Sequence, residues 1–177
     1  MNDPQVQDFD ARALFDALDA QRIDRGLTWR GVADELWNLS ADLNEGRRDH
    51  PISPATLTGM AKRGSTSCQH ALFMLRWLGR APESFLVGGD LTPATSLPPA
   101  GSDRRLRWDL ARLYEALEGR RREEQLTWSE LARVLRCTPS QLTGIRVARF
   151  AIEMNLAMKI VQWLGRPAAD FIYAAGW

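Results

Sequence analysis

The chain repeats itself, and that repetition restricts its fold more than anything else in it. Leu27-Thr28-Trp29 returns as Leu126-Thr127-Trp128, Leu57-Thr58-Gly59 as Leu142-Thr143-Gly144, and Trp77-Leu78-Gly79-Arg80 as Trp163-Leu164-Gly165-Arg166, always in that order. Leu14-Phe15 and Leu18 stand over Leu113-Tyr114 and Leu117, and Phe85 stands over Phe171. Ordered matches over this length make the repeating unit a whole domain. Between the copies runs Val87 to Asp103, rich in Gly, Pro, Ser and Thr and without helical or strand periodicity. The spacing predicts a first domain over about 8–86, a linker over 87–103 and a second domain over 104–173. A flexible linker of this length has a typical span near 25 Å.

Within the second copy the apolar residues fall at helical steps. Leu106, Leu110, Leu113 and Leu117 predict a first helix with one buried face. Thr127-Trp128-Ser129-Glu130 is a capping box that opens a second helix carrying Leu131, Ala132 and Leu135 inward. After Arg136-Cys137, Thr138 followed by Pro139 starts a third helix, whose apolar positions are Leu142 and Ile145. A fourth helix from about Ile152 to Leu164 stops at Gly165, with Pro167 behind it, and a short last one carries Phe171. No run alternates with period two for long enough to demand a sheet, so the expected class is all-α.

The first copy differs in one place. Trp29 and Ser53 are 24 residues apart, whereas Trp128 and Thr138 are 10 apart. The extra material, about 38–51, contains Arg47, Arg48 and His50. It is either a loop or lengthened helix that adds phosphate contacts, or a structural elaboration that blocks access to a groove. The third helix resumes at Ser53-Pro54 and runs through Leu57 and Met60 to Lys62-Arg63.

Helix, short turn, capped second helix, with Ala132, Leu142 and Ile145 at their mutual spacing, resembles the helix-turn-helix of the phage-repressor-like superfamily (Cro and cI type, the XRE family). The resemblance covers nearly all of 104–173. It implies two tandem lambda-repressor-like bundles of about five helices each, with sequence-specific binding of duplex DNA and transcription regulation as the function. The family places Gly early in the turn where this copy has Arg136, a residue that a positive φ would strain. By position, the resemblance brings Ser140, Gln141, Thr143, Arg146 and Arg149 of the second copy toward DNA. From the first copy it brings Ala55, Thr56, Thr58, Lys62 and Arg63, and Arg47 and Arg48 of the extra segment are the candidate phosphate contacts there. Gln suits adenine and Arg suits guanine in the major groove.

Other functions find little footing. His50, His70 and Cys68 are too few for a metal centre, and no Gly-rich phosphate loop or nucleophile motif is present. No enzyme activity, cofactor or metal is expected. The four tryptophans that recur in both copies point to core packing rather than a ligand cage, and Arg120-Arg121-Arg122 is answered by Glu123-Glu124. No signal peptide or membrane-length apolar run is apparent, so a cytoplasmic location without membrane association is expected. Net charge is +1, but residues 1–103 hold 10 Lys/Arg against 14 Asp/Glu and residues 104–177 hold 13 against 8. The second copy is therefore the better match to a polyanion. The competing reading is a protein-interaction module in which the acidic first repeat makes a homodimer or holds a protein partner.

Overall fold

For seven of the eight described α-helices a side chain of the preceding residue accepts from a free amide of the first turn. The computed structural model describes residues 5–48, 52–88, 96–149 and 151–176. Asp10 caps α1 (Ala11–Asp24) by accepting from the Ala13 amide, and Asp109 caps α5 (Leu110–Glu123) at Arg112. Thr28 opens α2 (Trp29–Asn38), and Thr127 with Glu130 opens α6 (Trp128–Val134). Ser53 and Thr138 open α3 (Pro54–Arg63) and α7 (Pro139–Gly144), each with Pro in the first turn. Ser67 caps α4 (Cys68–Leu78), and α8 spans Met154–Leu164. Gly64, Gly79 and Gly165 end α3, α4 and α8 in the left-handed region. Short 3₁₀ turns at Pro82–Phe85 and Ala168–Phe171 complete the two copies.

The fold is mostly helical with a small antiparallel sheet, which corrects the expectation that no sheet would form. β1 (Arg105–Trp108) pairs with β2 (Ile172–Ala175), Leu106 opposite Ala174 and Trp108 opposite Ile172. Leu106 therefore belongs to a strand, and the first helix of the second copy begins at Leu110. The first copy repeats the arrangement in reduced form: Phe9 bridges Leu86. The Asp10 amide donates to Phe85 O at 2.7 Å, as the Asp109 amide does to Phe171 O at 2.8 Å.

The two copies share one continuous core. Leu14, Leu18, Leu36, Leu57 and Leu72 join Leu113, Leu117, Leu131, Leu142 and Ile160 in a single buried cluster. Trp77, Trp108 and Trp163 are buried in it. Trp29 and Trp128 sit at its edge in matching stacks, on Phe15 with ring centroids 5.1 Å apart and on Tyr114 at 5.9 Å. Arg22 and Arg121 lie over those two indoles.

Contacts between the copies are made crosswise. The Cys68 amide donates to Ile152 O at 2.7 Å, and the Met154 amide donates to Thr66 O at 2.9 Å. The segment entering each copy lies against the fourth helix of the other. Gln69 Nε2 donates to Leu106 O, and the Phe9 amide donates to Asn155 Oδ1, both at 2.8 Å. Gln162 exchanges two hydrogen bonds with the Gln7 backbone.

The described end of the segment read as a flexible linker is held in place, which corrects that expectation. Arg76 donates to Ala100 O and Gly101 O at 2.8 and 3.0 Å and to Leu39 O at 2.8 Å. Leu97 and Ala100 pack against the core. A guanidinium with five donors in a fixed fork can gather carbonyls that composition alone would leave solvated. No described helix is long and apolar enough to cross a membrane.

A shared core with crosswise contacts predicts that the copies unfold as one cooperative unit. Urea unfolding followed by tryptophan fluorescence and by far-ultraviolet circular dichroism should give coincident, single transitions. Two separated transitions would show that the copies fold independently.

Candidate nucleic-acid interface

In the second copy, α6 buries Leu131 and Ala132, and Leu135 follows them into the core. The chain then turns at Arg136, whose φ of 53° is the left-handed conformation that favours glycine. The strain is met by contacts: Arg136 Nη2 donates to Val6 O at 2.9 Å and lies 3.4 Å from the Asp8 carboxylate. Arg136 thus ties the turn of the second copy to the entering segment of the first.

Behind the turn α7 is reciprocally capped. The Thr138 amide donates to Gln141 Oε1 at 2.8 Å, and the Gln141 amide donates to Thr138 Oγ1 at 3.2 Å. The helix runs Pro139–Gly144 and tightens into a 3₁₀ turn over Ile145–Val147. Leu142 and Ile145 are buried, which turns Ser140, Gln141, Thr143, Arg146 and Arg149 outward into solvent. Val147, an apolar residue at 76% exposure, stands among them. Two of these side chains are already engaged. Gln141 gives its carbonyl oxygen to the cap, and the Thr143 hydroxyl donates to Pro139 O at 3.2 Å.

The first copy carries the same local chemistry on a longer helix. Ser53 and Thr56 cap α3, and the Thr58 hydroxyl donates to Pro54 O at 3.1 Å. Ala55, Thr58, Lys62 and Arg63 are exposed and Thr56 is half-buried. Arg63 lies back across Gly59, where a Cβ would stand 2.6 Å from Nη1. Lys62 and Arg63 occupy the last turn, where the helix dipole favours cations.

The extra segment is a clasp over its described part. α2 continues through Asn38, and the insertion proper begins at Leu39. Ser40 Oγ donates to Arg104 O at 2.7 Å, Arg105 Nη2 donates to Asn44 Oδ1 at 2.7 Å, and Asn44 Nδ2 donates to Trp37 O at 2.8 Å. Ser40 and Asn44 are buried. The described residues give this segment a structural role, fastening Arg104 and Arg105. Arg47 is half-buried, Arg48 is exposed, and His50 and Pro51 lie outside the described residues.

The charges of the two candidate faces differ. Residues 128–149 contain four Lys/Arg and one Asp/Glu, and residues 29–63 contain five of each. The one acid of the second face, Glu130, is held below the usual carboxylate range by hydrogen bonds from the Thr127 amide and hydroxyl.

Sequence reasoning missed the group that secures this face. Lys159, 7% exposed at its side chain, reaches Asp8 at 2.9 Å, and Asn155 Nδ2 donates to the same carboxylate at 3.3 Å. A lysine within the apolar run Leu156 to Val161 of α8 was the available signal, because a lysine there needs a partner. No family model, curated protein or solved structure matches the chain.

The Asp8 and Lys159 pair gives a sharp expectation. Asp8→Ala leaves a buried ammonium with its main partner gone and should destabilise by about 1–3 kcal/mol. Lys159→Met removes the buried charge itself and should cost less. The Lys159 hydrogen bond, foremost, holds the Asp8 carboxyl below its ordinary value. Its contribution is therefore present above about pH 4 and lost as pH falls through the lowered value. Chemical denaturation of both variants at pH 7 and pH 3 checks this. A larger loss for Lys159→Met would refute it.

Proposed function

We propose that the protein binds duplex DNA as a transcription regulator, with the Thr127–Arg149 region of the second copy acting as a helix-turn-helix. The observation that carries the reading is the outward face of α7 and its following turn. Leu142 and Ile145 anchor one side in the core, and Ser140, Arg146, Val147 and Arg149 project from the other. A short capped helix with cations at its far end suits a groove whose walls are phosphates.

Roles follow from what each side chain has free. Arg146 is placed to read guanine through two hydrogen bonds, and Val147 offers an apolar contact to a thymine methyl. Ser140 is a further base-edge donor or acceptor. Gln141 retains its amide donors but spends its carbonyl oxygen on the cap, so two-pronged readout of adenine would require breaking that bond. Arg149, three residues beyond Arg146, is assigned to phosphate. In the first copy Lys62 and Arg63 serve as phosphate contacts, and Thr56 and Thr58 contribute less because both hydroxyls have internal partners. The balanced charge of the first copy's face supports a second use, dimerisation or a protein partner on that side.

Fluorescence anisotropy on a selected duplex and on a scrambled one, across a salt series, tests the reading. Arg146→Ala should cost about 1–3 kcal/mol on the selected duplex and little on the scrambled one. Arg149→Ala should weaken both alike and lower the slope of log affinity against log salt by about one. Absence of salt-dependent binding by the wild-type chain would remove the DNA reading and leave the interaction module.

A further inference from the structure

The crosswise contacts carry information about orientation that two domains on a string would not. Counting back from Trp77 and Trp163, Thr66 corresponds to Ile152, Ser67 to Glu153 and Cys68 to Met154. Ser67 and Glu153 are each other's bridge partners. The Cys68 amide bonds Ile152 O, and its counterpart Met154 bonds Thr66 O, the counterpart of Ile152. Exchanging the two copies therefore reproduces the same pair of bonds. The same exchange carries Gln69, which donates to the second copy's entering strand, into Asn155, which accepts from the first copy's entering segment. It also carries α4 into α8, which pack on one another. Reciprocity of this kind is the mark of a two-fold relation; a translated tandem array would join unlike surfaces.

A two-fold operation keeps equivalent atoms at the same height along its axis. The helices α3 and α7 precede the segments that meet at this axis: α3 ends at Arg63, three residues before Thr66, and α7 is followed by the 3₁₀ turn Ile145–Val147, which ends five residues before Ile152. As counterparts under this operation, both helices lie at one level and on opposite sides of the axis, and the components of their directions perpendicular to it are opposed.

From this, and resting on the DNA reading above, we infer that one chain occupies one duplex site built of two inverted and non-identical half-sites, with the protein's internal two-fold axis on the DNA dyad. Inversion follows from the reciprocal bonds, because a duplex dyad is the symmetry element that presents two equivalent grooves to a two-fold protein. Non-identity follows from the faces. Where the second copy offers Ser140, Gln141 and Arg146, the first offers Ala55, Thr56 and Ala61.

The test is selection of the full-length chain on a duplex library with about three helical turns of random sequence, followed by hydroxyl-radical footprinting and by sedimentation of the selected complex. The expected result is an inverted, imperfect repeat, two protected patches on one side of the duplex and one chain per duplex. A variant combining Ala55→Ser, Thr56→Gln and Ala61→Arg gives the first copy the second copy's face, and it should select a more perfect palindrome. A direct repeat, a single unrepeated motif, two chains per duplex, or a folded variant whose selected site is unchanged overturns the inference and leaves DNA binding standing. No enrichment together with no salt-dependent binding overturns both. The wild-type footprint and stoichiometry decide the matter even where the triple variant fails to fold.

Discussion

Two backbone hydrogen bonds, from Cys68 to Ile152 and from Met154 to Thr66, fix the relation between the copies, and much else depends on where they lie. They join the segments just ahead of α4 and α8, so those helices pack together at the centre of the molecule. Buried amides must find carbonyls, and here each copy supplies the other's. Cys68 is buried at this junction, its carbonyl accepts from Trp108 Nε1, and burial pushes its thiol up to about 11. The thiol stays protonated at neutral pH, and its Sγ accepts from the Ile152 amide at 3.4 Å across the joint.

The entering segments carry the second layer of that dependence. Each copy begins with a segment that lies on the other copy's fourth helix, and each is fastened at the far end by a different device. For the first copy the fastening is Arg136 and the buried Lys159 acting on Val6 and Asp8. For the second it is Ser40 and Asn44 acting on Arg104 and Arg105. The same mechanical need has been met once by a strained arginine in a tight turn and once by added chain.

Local features were legible in the sequence because their causes are local. The capping pairs Thr127 with Glu130 and Thr138 with Gln141, and the glycines after α4 and α8, can be read from neighbours a few residues apart. The recurring Trp77 and Trp163 pointed to equivalent cores for the same reason. The sheet was not legible: strands of four residues are too short to show a period-two alternation, β1 is buried at three of its four positions, and Leu106 falls by accident at helical spacing from Leu110. The crosswise contacts join residues from 37 to 155 positions apart, and nothing in the immediate surroundings of Asp8 or Gln7 announces them. At the candidate interface, exposure of Arg146 and Arg149 was legible from the burial of Leu142 and Ile145. Gln141 shows a conflict within a single motif, since the pattern that makes it a cap residue also occupies the oxygen that adenine readout would use.

The clasp at Ser40 and Asn44 exists in one copy only, and that has a consequence for how such a molecule can change. In a dimer of identical chains every substitution or insertion is made twice, and an added segment must fit on both sides of the axis at once. Joining the copies covalently lifts that obligation. One half can be lengthened, neutralised or restrained while the other keeps its surface, and the halves cannot dilute apart, because the chain holds each at a high effective concentration of the other.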